Sequence, residues 1–167
     1  MIISLIAAVA KNNVIGVKGD LPWYLPKDLK FFATTTRGHH VIMGRKNYDS
    51  IPEKYRPLPH RPNIVVTRNP EFHDSNIDIF TSIQSAIDFA KSKNEKEVFI
   101  IGGGEIYNQT IQLADKLYLT HVDTEIDGDT HFPSFNQSEW TRELVLEQEQ
   151  NNVHNHSFKT YIYNRID

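Results

Sequence analysis

The sequence predicts an α/β fold: a single domain on one central, mostly parallel, twisted sheet of about eight strands. Helices cover both faces, and an antiparallel hairpin forms the C-terminal edge. Three observations lead there. Short apolar, β-branched runs alternate with segments of helical periodicity. Several runs, such as Ile64-Val65-Val66 and Val98-Phe99-Ile100-Ile101, are apolar without alternation, as in parallel strands covered on both faces. The last third instead alternates polar with apolar residues, the mark of strands with one wet face.

Strands are expected at Ile2–Val9, 41–43, 63–67, 77–80, 98–101 and Lys116–Val122. A helix opens at Pro26 and runs to about Thr35, since proline in the first turn forfeits no intrahelical bond. Its Leu25, Asp28, Leu29 and Phe32 share a face, while Lys27 and Lys30 turn toward water. A second helix spans 82–93 with Ile83, Ala86, Ile87 and Ala90 inward, and Thr81 with Gln84 has capping-box spacing. The third begins near Gly104 and directs Ile106, Ile111 and Ala114 to the core. Segments Trp140–Gln148 and 156–164, joined through Asn151 to Asn155, read as the hairpin.

Composition narrows the function. With 167 residues, 39% of them hydrophobic, the chain reads as one domain over 1–167. At that length it buries roughly 70% of its extended surface and needs no staple. Zero cysteines exclude a disulfide framework, a thiolate metal site and a cysteine nucleophile. Lysine and arginine total 18 against 21 acids, a net charge of −3, so no positive field recruits nucleic acid or membrane phosphates. The apolar run 2–10 has no basic segment before it and is far short of a span, so it reads as a buried strand. A soluble, cytoplasmic monomer is expected.

Four features carry possible chemistry. Asp28, set among Leu and Phe on its helix face, is a carboxylate open to desolvation and a raised pKa. Spacing alone favours a plainer role, a partly solvated acid placed by the helix macrodipole. The run Ile101-Gly102-Gly103-Gly104-Glu105-Ile106-Tyr107 leads from strand to helix, as phosphate-binding turns do. Tyr107 stands where a dinucleotide fingerprint has its third glycine, so a simple tight turn is equally compatible. Gly44-Arg45-Lys46-Asn47 and Thr67-Arg68 place cations at two further strand ends, where ligands gather in open α/β sheets. With no acid there to hold a free ribose hydroxyl, a 2′-phosphate and hence NADP fit better than NAD. The apolar connection 10–25 and the proline-rich 52–62, with Arg56 and Arg61, suit a ligand cover and a carboxylate clamp. The histidines share no helix face, and no metal site is expected.

Taken in order, these segments resemble the dihydrofolate reductase family, bacterial chromosomal type. The resemblance rests on Val14-Ile15-Gly16, Leu21-Pro22-Trp23, Asp28-Leu29, Met43-Gly44-Arg45, Arg56-Pro57-Leu58-Pro59 with Arg61, the triple glycine with Tyr107, and Leu119-Thr120-His121. It implies NADPH-dependent reduction of 7,8-dihydrofolate to 5,6,7,8-tetrahydrofolate. It names Asp28, Thr120, Trp23 and Leu21 as the catalytic set, with Asp28 promoting protonation of pterin nitrogen 5 through water rather than by direct contact. Ile6, Leu29, Phe32, Ile51 and Leu58 become walls for the substrate, and Arg61 the partner of its glutamate carboxylate. Ala8, Ile15, Gly16, Asp20, Gly44, Arg45, Lys46, Asn47, Thr67, Arg68 and Thr81 are carried over to the cofactor. So are Gly102, Gly103, Gly104, Glu105, Ile106, Tyr107 and Gln109, and residues 16–21 become a mobile lid. Asn47 replaces the family's usual threonine, and Leu21 a methionine of some relatives. A pyrimidine reductase of riboflavin synthesis and a non-catalytic NADP(H)-binding module are the competing readings.

Overall fold

The computed structural model describes residues 1–16 and 21–167. Among these residues ten strands and four α-helices follow in chain order: β1 (Ile2–Val9), β2 (Val14–Gly16), α1 (Pro26–Thr36), β3 (Val41–Gly44), α2 (Arg45–Ser50), β4 (Asn63–Val66) and β5 (Asp78–Phe80). Then come α3 (Ile83–Ser92), β6 (Glu97–Ile100), α4 (Gly104–Thr110), β7 (Lys116–Val122), β8 (Thr130–His131), β9 (Trp140–Gln148) and β10 (Phe158–Arg165). Eight strands form one sheet in the order β5-β4-β3-β6-β1-β7-β10-β9, and β2 pairs with β8 apart from it. All pairings in the large sheet are parallel except those of β10 with β7 and β9.

Right-handed crossovers account for the layers. The chain moves outward from β1 to β3 and β4 through α1 and α2, then returns through α3 and α4 to β6 and β7. Opposite directions of travel put the two helix pairs on opposite faces. The strands match this with a period of two: Leu5, Ile42, Ile64, Val98, Ile100, Leu117 and Leu119 pack with Ile83, Ala86, Ile87 and Ala90 of α3 and with Ile106 of α4. Their alternates Ile6, Val41, Met43, Val65, Phe99 and Tyr118 pack with Tyr48 of α2 and Phe31 and Phe32 of α1. The predicted class, both helical faces and the edge hairpin are all present. No helix among the described residues is long and apolar enough to cross a membrane.

The differences are local. The cap of α3 is Ser82, whose hydroxyl accepts the Ser85 N–H at 3.1 Å; Thr81, expected in that role, lies one residue outside. A two-residue β8 turns part of the expected loop 10–25 into β2. Arg45, Lys46 and Asn47 follow the end of β3 as expected and form the start of a short helix, α2. In the hairpin, the register of β10 on β9 slips between Thr160 and Tyr161.

Candidate active site

The carboxyl ends of β1, β3, β4, β6 and β7 open on one cleft of about 1250 Å³, bounded by α1, α2 and α4. Strand order reverses beside β1, and such a switch point leaves a crevice between outgoing and returning connections. One small ligand occupies about 300–1,000 Å³ of pocket, so this cleft has room for two side by side.

Asp28 enters it from the first turn of α1. Leu25 beside it is 2% exposed and packs with Val122 and Phe158, which holds this helix end against the sheet. Burial pushes the Asp28 carboxyl above the usual carboxylate range, and a hydrogen bond from Thr120 pulls the other way. That bond runs from Thr120 Oγ1 to Asp28 Oδ1 at 2.7 Å. Spacing alone favoured a partly solvated acid; the residue is half-buried in the first turn of α1, and burial still raises its proton affinity. Ile6, Leu29, Phe32, Ile51 and Leu58 line the same end of the cleft, as do Leu21 and Trp23.

The glycine turn builds the opposite wall. Gly102 has φ of +115°, a conformation open chiefly to glycine, and the Gly102–Gly103 peptide is cis. A Cβ at Gly102 would lie 3.1 Å from the Tyr107 ring, and Tyr107 in turn donates its hydroxyl to the Ile6 carbonyl at 2.6 Å. Tyr107 therefore takes the place of the missing third glycine by locking α4 onto β1. Gly102 itself is packed beneath that ring and is not part of the cleft lining. Gly103 differs: a Cβ there meets nothing within 4 Å, and the residue lines the cleft.

Farther along lie Arg45, Lys46 and Asn47 of α2 with Thr67, Arg68 and Thr81 after β4 and β5. Arg45 is paired with Asp49 at 2.8 Å, a counter-ion one helical turn away that strand-end reasoning missed. Asn47 spends its amide on the Ile101 carbonyl at 3.2 Å. Ala8, Ile15, Gly16, Gly44, Gly104, Glu105, Ile106, Tyr107 and Gln109 complete the overlap between expectation and cleft. Asp20 and most of the expected lid lie outside the described residues.

Arg61 stands off the cleft wall. Its guanidinium is 5.8 Å from the Phe32 ring centre and bonds to the Pro59 carbonyl and the Thr36 hydroxyl. Burial, then the neighbouring Arg37, hold it below the usual arginine value, so an anion arriving there relieves both penalties. Arg56 serves the loop instead, donating to the carbonyls of Asp49 and Ile51. Sequence reasoning also missed Phe31, Ser50, Pro52, Tyr118 and Thr130 in the lining. Phe31 carried a signal in its adjacency to Phe32, and Pro52 opens the proline-rich segment expected to face a ligand.

Cavity, acid and cations fit a dinucleotide beside a small heterocycle. The open Cβ position at Gly103 suits a close backbone approach, and five cation or hydroxyl side chains, Arg45, Lys46, Thr67, Arg68 and Thr81, stand in the lining as a phosphate site requires. Comparison with known proteins agrees. The family model for dihydrofolate reductase matches residues 2–165. The dihydrofolate reductase of Haemophilus influenzae is 48% identical over 144 residues, 86% of each chain. That of Staphylococcus haemolyticus is 39% identical over 164 residues, 98% of this chain and 96% of the relative. A solved structure of dihydrofolate reductase from Enterococcus faecalis, complexed with NADP(H) and RAB-propyl, superposes with a TM-score of 0.89 at 31% identity. It covers 99% of this chain and 97% of its own. With the family model matching almost the whole chain and relatives of 39–48% identity covered nearly end to end, this chain belongs to the dihydrofolate reductase family.

Proposed function

We propose that the chain reduces 7,8-dihydrofolate to 5,6,7,8-tetrahydrofolate with NADPH, and that Asp28 governs the proton delivered to pterin nitrogen 5. The observation that carries this reading is the Asp28–Thr120 pair, desolvated at one end of a cleft whose other end is cationic. Bound NADPH supplies the hydride. The chain's share is binding, orientation and proton control.

On this reading Asp28 hydrogen-bonds the pterin amino group and the adjacent ring nitrogen. Thr120 fixes the carboxyl's rotation, and burial raises its proton affinity above that of an ordinary carboxylate. Phe32, Leu29, Ile6, Ile51 and Leu58 hold the rings and exclude water, and Trp23 and Leu21 close the near side. Arg61, with Arg37 beside it, takes the glutamate carboxylate. Ala8 and Ile15 frame the nicotinamide, while Gly103 and Gly104 present backbone to the pyrophosphate. Arg45, Lys46, Thr67 and Arg68 hold the 2′-phosphate, with Asn47 and Thr81 beside them. Residues 1–167 act as one unit, a cytoplasmic monomer without a nucleic-acid partner. The net charge of −3 supports the last point.

The test is direct. Purified protein is expected to oxidise NADPH only when dihydrofolate is present. NADPH binding without turnover would point to the binding module, and turnover only with a ribitol-phosphate pyrimidine to the other reductase.

A further inference from the structure

Helix α1 carries Asp28 but begins without a cap of its own. Leu25 at its boundary provides no side-chain hydrogen bond, and Pro26 has no N–H. The next backbone N–H, that of Lys27, donates to Nε2 of His154 at 3.2 Å. His154 lies in the connection between β9 and β10 and is 7% exposed.

Its surroundings fix the ring's chemistry. Asn151 Oδ1 accepts the backbone N–H groups of Val153 and His154 at 2.9 and 2.8 Å, which orients the amide. The same oxygen is 3.2 Å from His154 Nδ1, so Nδ1 carries the proton and Nε2 is left to accept. The Asn151 N–H donates back to the His154 carbonyl at 2.9 Å and closes the turn. Phe158 packs on the imidazole, with ring centres 6.1 Å apart, and belongs to the cluster that also holds Leu25. The Lys27 ammonium adds a second tether to the Glu147 carbonyl of β9 at 3.0 Å. From the other side β10 reaches the carboxyl itself, Thr160 to Thr120 to Asp28. One hairpin grips both the helix start and the acid.

We propose that His154 is a positioning residue for the reduction: its Nδ1-protonated imidazole caps α1 from the hairpin and fixes the setting of Asp28, one residue past the capped N–H. The inference rests on the reductase reading but on no contact between His154 and a ligand. A helix cap contributes about five- to tenfold to closing the first turn. Without it that turn frays, and water reaches the Asp28 carboxyl.

Two substitutions separate the hydrogen bond from packing. His154→Phe keeps an aromatic ring against Phe158 and removes the acceptor; His154→Gln restores a side-chain acceptor. His154→Phe is expected to lower kcat/KM for dihydrofolate about five- to tenfold. It leaves NADPH affinity within about twofold and moves the carbon-13 titration of Asp28 to lower pH, whereas His154→Gln recovers at least half of each loss. Nitrogen-15 signals of the unaltered protein are expected to place the His154 proton on Nδ1. A proton on Nε2, an unmoved Asp28 titration in folded His154→Phe, or a Gln variant no better than Phe overturns the proposal. Should His154→Phe fail to fold, an ester in place of the Lys27 amide removes the donor instead. The same downward shift is expected there, and its absence is equally decisive. Tautomer and titration are read without turnover, so an inactive unaltered protein would count against the reductase reading and not against this coupling.

Discussion

Thr120 donates its hydroxyl to Asp28 at 2.7 Å, joining the last parallel strand of the sheet to the first helix across 92 residues of sequence. Thr160 stands 2.7 Å behind, and since the Thr120 proton is given to the carboxyl, Thr160 is the donor in that second bond. The acid is thus fixed by a chain of hydroxyls that ends inside the sheet, where Thr160 is 0% exposed.

Replacing Asp28 by Asn is expected to trade activity for stability. Burial raises the Asp28 pKa in the fold, so folding favours the neutral form. That favourable contribution is complete below the ordinary carboxylate value and is lost as pH rises through the raised one. Asn is neutral throughout, so Asp28→Asn is expected to melt above the unaltered protein at pH 7, the gap closing below about pH 4. Turnover at pH 7 is expected to fall about 10²-fold or more with the proton source gone. Thermal melts across pH and steady-state rates check both; a variant that melts lower at pH 7 would contradict the desolvated acid.

Thr120→Val removes the hydrogen bond that lowers the Asp28 pKa, so the alkaline fall in the rate–pH profile is expected at higher pH. Thr160 loses its acceptor in the same stroke. The cost to stability is expected at about 1–3 kcal/mol, measured by urea denaturation. A profile that moves to lower pH would separate Thr120 from the proton chemistry.

What the sequence made legible follows from length and periodicity. Lys116–Val122 and Trp140–Gln148 emerged with their full bounds because seven- and nine-residue strands give a pattern room to repeat. The six residues of α2 and the two of β8 are too few to show any period. Thr81 and Ser82 are both hydroxyl residues before Ile83, and only backbone geometry decides which one caps. Asp28 could be suspected from its helix face, but its partner Thr120 is set by the β1–β7 pairing and was reached through family resemblance alone. The Arg45–Asp49 pair was readable from i,i+4 spacing only once α2 was known to be a helix.

That pair gives a prediction about the cofactor. Both side chains are more than a third exposed, so the bridge contributes about 0–1 kcal/mol to folding. It does occupy a cation assigned to the 2′-phosphate. Asp49→Asn is therefore expected to leave the melting curve nearly unchanged and tighten NADPH by about three- to tenfold, with little effect on NADH. Arg45→Ala is expected to weaken NADPH about tenfold or more, again sparing NADH. Fluorescence titrations with the two nucleotides decide it: equal changes for both would remove Arg45 from phosphate recognition.

Glu95 tests stability far from the cleft, at the amino end of β6. Its side chain is 7% exposed, and its oxygens accept from His39 Nδ1 at 2.8 Å and His40 Nδ1 at 2.6 Å. The backbone N–H groups of His40, Lys96 and Glu97 add three more bonds. Burial pushes the carboxyl upward, but the bonds from His40 and His39 outweigh it, and the net pKa is lowered to about 2. A lowered value means stability that is present above the ordinary 4.5 and lost as pH falls from there toward about 2. Glu95→Gln turns one acceptor oxygen into a donor facing donors. It is expected to cost about 2–3 kcal/mol at pH 7, the difference shrinking between pH 4.5 and 2 as the unaltered carboxylate takes up its proton. Dihydrofolate turnover is expected to stay unchanged at temperatures where the variant is folded. Urea unfolding at a series of pH values reads the outcome, and a gap as wide at pH 2.5 as at pH 7 would mean that the histidine bonds, not the charge they hold, carry the stabilisation.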